Sequence, residues 1–224
     1  MPEVEDWLQD PLREKVKGHY QRRKLKNADE RQNSRWWSFH FATRLKLDGA
    51  DFFCRQAVGA ASMPNDLGLP LLAHRQTEWY LEAFFFELMS AYDTLLQELN
   101  IVYAYDFALK PEDVRWRDEK KTKFMENLPE KVFNSIKEGR KKDWFYRVQR
   151  YRNTATHHYT VPLGSGKLGW GGKPIDYSEH NVFIHYLDKT GNFKDENIKT
   201  SKDYLTNMVR HISSIWEVMA EEFE

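Results

Sequence analysis

Four stretches of this chain repeat apolar residues at three- and four-residue steps, a period that commits most of its length to amphipathic helices. In the clearest of them Leu81, Phe84, Phe85, Leu88, Tyr92, Leu95, Leu96 and Leu99 mark one face. The spacing predicts a helix from about Leu72 to Val102, roughly 45 Å long at 1.5 Å per residue. An earlier helix is expected from about Ser34 to Ser62, its buried stripe made of Leu45, Phe52 and Phe53 with the small Ala42, Gly49 and Ala60. A third covers about Lys141 to His158, with Trp144, Val148, Tyr151 and Ala155 on one side. The last runs from about Ser201 to Phe223 through Leu205, Met208, Ile212, Ile215 and Met219. Ser201 suits its N-cap, and Asp203 suits the positive end of its dipole.

Between these helices the signals are local. Asn65 to Pro70 (NDLGLP) is a turn cluster short enough to join an antiparallel pair, and Lys110 to Pro129 reads as a charged connector with a short helix. From His158 to Thr200 the helical period is lost. Gly164, Gly166, Gly169, Gly171 and Gly172 punctuate the segment, and Val182 to Leu187 (VFIHYL) reads as a strand. The expected fold is all-α, an up-and-down helical bundle with a small β-hairpin inserted between the last two core helices. Residues 1–33 are expected to form a basic N-terminal helical arm. Residues 34–224 are expected to form the bundle, with the insert at about 159–200.

Composition narrows the function classes. The 224 residues include 34 Lys+Arg and 34 Asp+Glu, so bulk attraction to a polyanion or an anionic membrane is not expected. Aromatic residues make up 15%, more than wholesale disorder allows. The lone Cys54 leaves no disulfide framework and no cysteine zinc cluster. No apolar run approaches a membrane span, and MPEVEDWLQD is acidic where a signal peptide is basic and then apolar; a soluble, cytoplasmic protein without membrane partners is expected. The neutral total hides blocks. Arg13 to Arg35 holds nine basic residues against three acidic, Lys131 to Arg152 eight against two, and the last eight residues carry four Glu. Such blocks are solvated helix faces unless a chemical motif lies beside them.

One does. Arg150 to Tyr159 (RYRNTATHHY) closes the third helix. Asn153 and His157 are four apart and share a face, while Arg152 lies about 100° round, within reach of the same cleft. The helix C-terminus favours imidazolium at His157, and Arg150 and Arg152 oppose it, so the sign of the net shift stays open. Either way the ring can titrate near neutrality. This combination suits phosphodiester cleavage without a metal. A guanidinium holds the phosphate and its developing charge, histidine transfers protons at the 2′-hydroxyl or the leaving oxygen, and Asn153 orients a partner. The 2′-hydroxyl restricts the chemistry to RNA. Lys141, Lys142, Arg147 and Arg150 are placed to guide the strand. The competing account makes His157 a cap donor to helix carbonyls.

Arg152-Asn153-x-x-x-His157 resembles the signature of the HEPN superfamily of small helical bundles, many of them metal-independent ribonucleases. With Tyr159 the match becomes Arg-x-x-x-x-His-x-Tyr, similar to HEPN toxins whose antitoxin is a minimal nucleotidyltransferase. The resemblance covers the bundle from about Ser34 onward. It implies catalytic roles for Arg152, Asn153, His157 and Tyr159, a homodimer with a composite cleft, no cofactor, and an antitoxin that modifies Tyr159 with AMP. It equally allows a non-catalytic module that binds a nucleotide, RNA or protein. The insert is longer than the compact toxins require.

Other motifs carry less. GSGKLGWGGKP fails the P-loop spacing, because Pro174 stands where Ser or Thr would hold magnesium. Trp170 at its tip is expected to cover the bundle end. The eight histidines show no zinc spacing, so no metal is expected. Among Glu78, Glu82, Glu87 and Asp93, Glu87 interrupts FFFELM and is the candidate orienting carboxylate, with a salt-bridged face as the alternative. Trp36 and Trp37 are expected in the core.

Overall fold

The computed structural model describes residues 11–22, 28–62, 70–103, 114–117, 121–157, 163–165, 182–187 and 193–224. The elements run α1 (Pro11–Arg22), α2 (Ala28–Ala61), α3 (Pro70–Tyr103), α4 (Lys123–Glu126), α5 (Glu130–Arg140) and α6 (Asp143–His157). Strands β1 (Leu163–Ser165), β2 (Val182–Leu187) and β3 (Phe193–Asn197), a 3₁₀ turn (Ile198–Thr200) and α7 (Ser201–Glu222) complete the chain. The four long helices therefore lie where the apolar period places them. The turn cluster expected at 65–70 lies almost wholly outside the described residues, as do Gly166 to Asn181 with Trp170. The fold is all-α with a small sheet between α6 and α7.

Two compact units divide the chain. Unit one takes Met1–Leu45, Ala91–Arg140 and Arg210–Glu224; unit two takes Lys46–Ser90 and Lys141–Val209. In unit one, α1 buries Leu12, Val16 and Tyr20 at four-residue steps, and the Tyr20 hydroxyl donates to the Ile101 carbonyl at 3.1 Å. The basic block of this helix is used close to home. Arg22 donates to the Phe223 carbonyl at 2.8 Å, Lys15 pairs with Glu224, and the Arg13 guanidinium lies 4.4 Å from the Trp37 ring centroid.

At the centre of unit one sits Glu98 of α3, fully buried. Its Oε1 accepts from Trp36 Nε1 at 3.0 Å and from His40 Nδ1 at 2.8 Å, and Oε2 accepts from Trp216 Nε1 at 3.0 Å. A carboxylate offers only acceptors, which places a proton on His40 Nδ1. The ring of His40 packs against both Trp36 (centroids 5.1 Å) and Trp37 (5.7 Å), which also touch each other at 5.8 Å, with Trp216 tilted against it at 4.5 Å. Trp36 is in the core as expected, while Trp37 is half-buried.

The cage reverses one expectation about α2. Its buried face is Trp36, His40, Thr43, Leu47, Ala50, Cys54 and Ala57, alternating four- and three-residue steps. Leu45 and Phe52, expected inside, are 55% and 49% exposed, and of that stripe only Ala60 is buried. The polar members tolerate burial because they are bonded: His40 to Glu98, and Thr43 Oγ1 to the Phe39 carbonyl at 3.0 Å.

Gly139 and His211 also pack in unit one. A Cβ on Gly139 of α5 would collide with the His211 imidazole of α7. Burial, reinforced by the Arg140 guanidinium, pushes His211 down from 6.5 to about 4. The folded protein thus holds this ring neutral while the unfolded chain protonates it first. Stability from this site is full above about pH 6.5 and declines as pH falls through about 4, by about 3 kcal/mol in all. Melting temperatures between pH 7 and pH 4 should show this loss, and His211→Gln should flatten the slope; an identical slope in the variant would refute the assignment.

In unit two, α2 and α3 run antiparallel, Lys46 meeting Glu87 and Phe53 stacking on Tyr80. A Cβ at Gly49 would stand 3.5 Å from Glu87 Cγ, an ordinary van der Waals contact, so the helix spacing here does not depend on glycine. Leu81, Phe84, Phe85 and Leu88 fill the core, and Phe85 stacks on Tyr151 of α6 at 4.6 Å. The insert is a three-stranded antiparallel sheet of order β1-β2-β3 rather than a two-stranded hairpin. Leu163 pairs with Ile184 and Ile184 with Glu196. The expected strand is β2, and β1 is recruited from the start of what reads as glycine-rich loop.

Candidate functional site

The motif helix α6 buries Phe145, Val148 and Tyr151, a three-residue step that turns Arg150 and Asn153 outward. Asp143 in its first turn complements the helix dipole. Arg152 is half-buried, and its Nη1 donates to Asn153 Oδ1 at 3.2 Å. The helix ends at His157, one turn beyond Asn153. The side chain of His157 and the whole of Tyr159 lie outside the described residues. Two of the four motif residues are thus seen together, on the solvent-accessible part of one helix.

The surrounding cations divide. Lys141, Lys142 and Arg150 are exposed. Arg147, expected to guide a strand, is held by carboxylates: its Nη2 donates to Asp143 Oδ2, and its Nη1 to Glu196 Oε1. Glu87, the expected orienting group, gives Oε2 to Lys46 at 2.9 Å and Oε1 to the same ammonium at 3.2 Å. This is the salt-bridged face that the sequence left open as its alternative.

Glu196 of β3 is the residue sequence reasoning missed. Buried beneath the sheet, it accepts from Arg147 and Tyr151 of α6 and from Tyr204 of α7; the Tyr151 contact is 3.1 Å. One carboxylate therefore fastens the insert to the motif helix, one residue before Arg152. The only trace in sequence is an acid in a strand (FKDEN), which by itself is no more than a polar edge.

Other chemistries find little support among the described residues. No group of three His, Cys, Asp or Glu side chains gathers there to hold a metal ion. Cys54 is buried, and burial together with Asp51 pushes its thiol up to about 11, far from the thiolate a nucleophile needs. No described helix is long and apolar enough to cross a membrane.

A long-helix fold carrying Arg-Asn at the end of its penultimate major helix, with His closing that helix, defines a HEPN-type domain. The family model for Cthe2314-like HEPN domains matches residues 48–220, more than three quarters of the chain. The chain belongs to the HEPN superfamily. Membership is consistent with a nuclease or an RNA-binding module. No curated protein and no solved structure matches it.

Proposed function

We propose that this protein is a metal-independent endoribonuclease of HEPN type. The carrying observation is the Arg152–Asn153 pair, hydrogen-bonded on the open side of α6, one turn from the residue where His157 ends the helix. In this mechanism the Arg152 guanidinium binds the scissile phosphate and stabilises its added charge. The His157 imidazole removes the 2′-hydroxyl proton as the 2′-oxygen bonds to phosphorus. The bond to the 5′-oxygen breaks, a protonated imidazole supplies that oxygen with a proton, and a 2′,3′-cyclic phosphate remains. Asn153 holds Arg152 in place, and Tyr159 lines the cleft. Lys141, Lys142 and Arg150 draw the strand in, whereas Arg147 serves the packing of α6. A role as a toxin, stress or phage-defence component in the cytoplasm, as a homodimer with a nucleotidyltransferase-type antitoxin, follows from the same assignment.

The test incubates the purified protein with mixed RNA in EDTA. Cleavage with 2′,3′-cyclic ends is expected, and His157→Ala and Arg152→Ala should each reduce it by about 100-fold or more with the melting temperature nearly unchanged. Cleavage that survives both substitutions removes the assignment. RNA or nucleotide binding without any products makes the domain a non-catalytic binding module.

A further inference from the structure

Unit one carries a cluster that the proposed reaction does not use. Trp116, in the segment before α4, stacks on Phe133 of α5 with centroids 5.1 Å apart and planes 30° from parallel. Lys121 Nζ lies 4.6 Å and Lys137 Nζ 5.8 Å from the Phe133 centroid, and the Arg140 guanidinium lies 5.9 Å from that of Trp116. Both rings are half-buried, leaving part of each at the surface, unlike the fully buried Trp36 of the same unit. Three cations converging on two rings repel one another. Across the described residues 114–117 and 121–140, seven Lys and Arg stand against three Glu, and Lys131 among them faces Glu221 and Glu222 of α7 at 4.0 Å, which leaves a smaller positive balance. Part-exposed aromatics ringed by cations are a good receptor for a polyanion with flat, unpaired bases.

A cleft of about 380 Å³ opens beside Phe133. Its apolar lining is Met125, Leu128 and Phe133; its polar lining is Lys121, Glu126, Glu130 and Asn134. The two carboxylates repel phosphate from the cleft itself. They and the Asn134 amide instead match the amino groups on base edges, as carboxylates do for cytosine and amides for adenine. Phosphate is left to Lys121 and Lys137, while Arg140, which also lies 5.8 Å from the buried Tyr92 ring, backs Trp116 from the protein side. Bases inward and backbone outward is the arrangement of single-stranded recognition, and a duplex, with its base edges paired, cannot adopt it.

We propose that Trp116 and Phe133, with Lys121, Lys137 and Arg140 around them, form a docking platform for single-stranded RNA that is separate from the Arg152 motif. The choice of RNA over DNA rests on the ribonuclease assignment above. The platform itself does not.

The experiment measures fluorescence anisotropy of a labelled single-stranded RNA of about 12 nucleotides, a length within the usual site sizes, against the full chain carrying His157→Ala in EDTA. Lys121→Glu with Lys137→Glu should weaken binding at least about tenfold and reduce the slope of log affinity against log salt by about 1.4. Phe133→Leu, which keeps an apolar side chain in α5, should weaken binding several-fold without changing the salt slope. Unchanged affinity and slope in variants that melt like the parent overturn the platform. Equally tight binding of DNA of the same length overturns the assignment to RNA, and binding of poly-glutamate in place of RNA overturns it in favour of an acidic polypeptide. The two readings separate cleanly: Lys121- and Lys137-dependent binding with no cleavage by the native chain sustains the platform and removes the ribonuclease, and the reverse pattern does the opposite.

Discussion

Replacing Glu98 with alanine is expected to lower stability by about 3–5 kcal/mol, the range found when one partner of a buried charged network is deleted. The reason is what remains. Without the carboxylate, the Trp36 and Trp216 indole N–H groups and His40 Nδ1–H lose their acceptor in the centre of unit one, and each buried donor left unsatisfied is costly. At 2–4 °C per kcal/mol for a chain of this size, the melting temperature should fall by roughly 10 °C. Glu98→Gln keeps one acceptor oxygen but turns an amide N–H₂ toward a donor, so an intermediate loss is expected. A shift of only a degree or two in Glu98→Ala would mean that the three donors find other acceptors and that the cage does not organise the unit.

Glu196→Ala should act more locally. It removes the acceptor shared by Tyr151, Tyr204 and Arg147, of which Arg147 retains a second carboxylate in Asp143. Loss of two tyrosine hydroxyl bonds and one ion pair is worth about 3 kcal/mol. Because these bonds join β3 to α6 and α7, the loss should appear first as faster amide exchange in residues 182–187 and 193–200, with the long helices still protected. If RNA cleavage is observed in the native chain, it should weaken in this variant, since Arg152 follows Tyr151 directly on α6. Exchange rates in the strands that match the parent would show that the sheet is held by its apolar contacts, Ile184 among them, and not by this carboxylate.

Much of the fold was legible because it is local. A helix bound every three or four residues to a core writes that period into its own sequence, so α2, α3, α6 and α7 could be placed within a few residues, and β2 announced itself through VFIHYL. Short α5 escaped notice because Val132 and Ile136, its buried pair, are too few to establish a period against a charged background. The inward face of α2 was misjudged for a different reason. The chain has more aromatic side chains than its core holds, and hydrophobicity alone ranks Phe52 above His40.

The order Arg152, Asn153, His157 along one helix, and with it the membership of the HEPN superfamily, could be read directly from the letters, since neighbours on a helix need no other part of the chain to bring them together. Which polar groups lie inside was a decision of the folded molecule. Glu98 meets residues about sixty positions before it and more than a hundred after it, and Glu196 meets side chains of two separate helices. A buried carboxylate is tolerated only where such distant donors converge, and convergence is a property of three dimensions that no local pattern encodes.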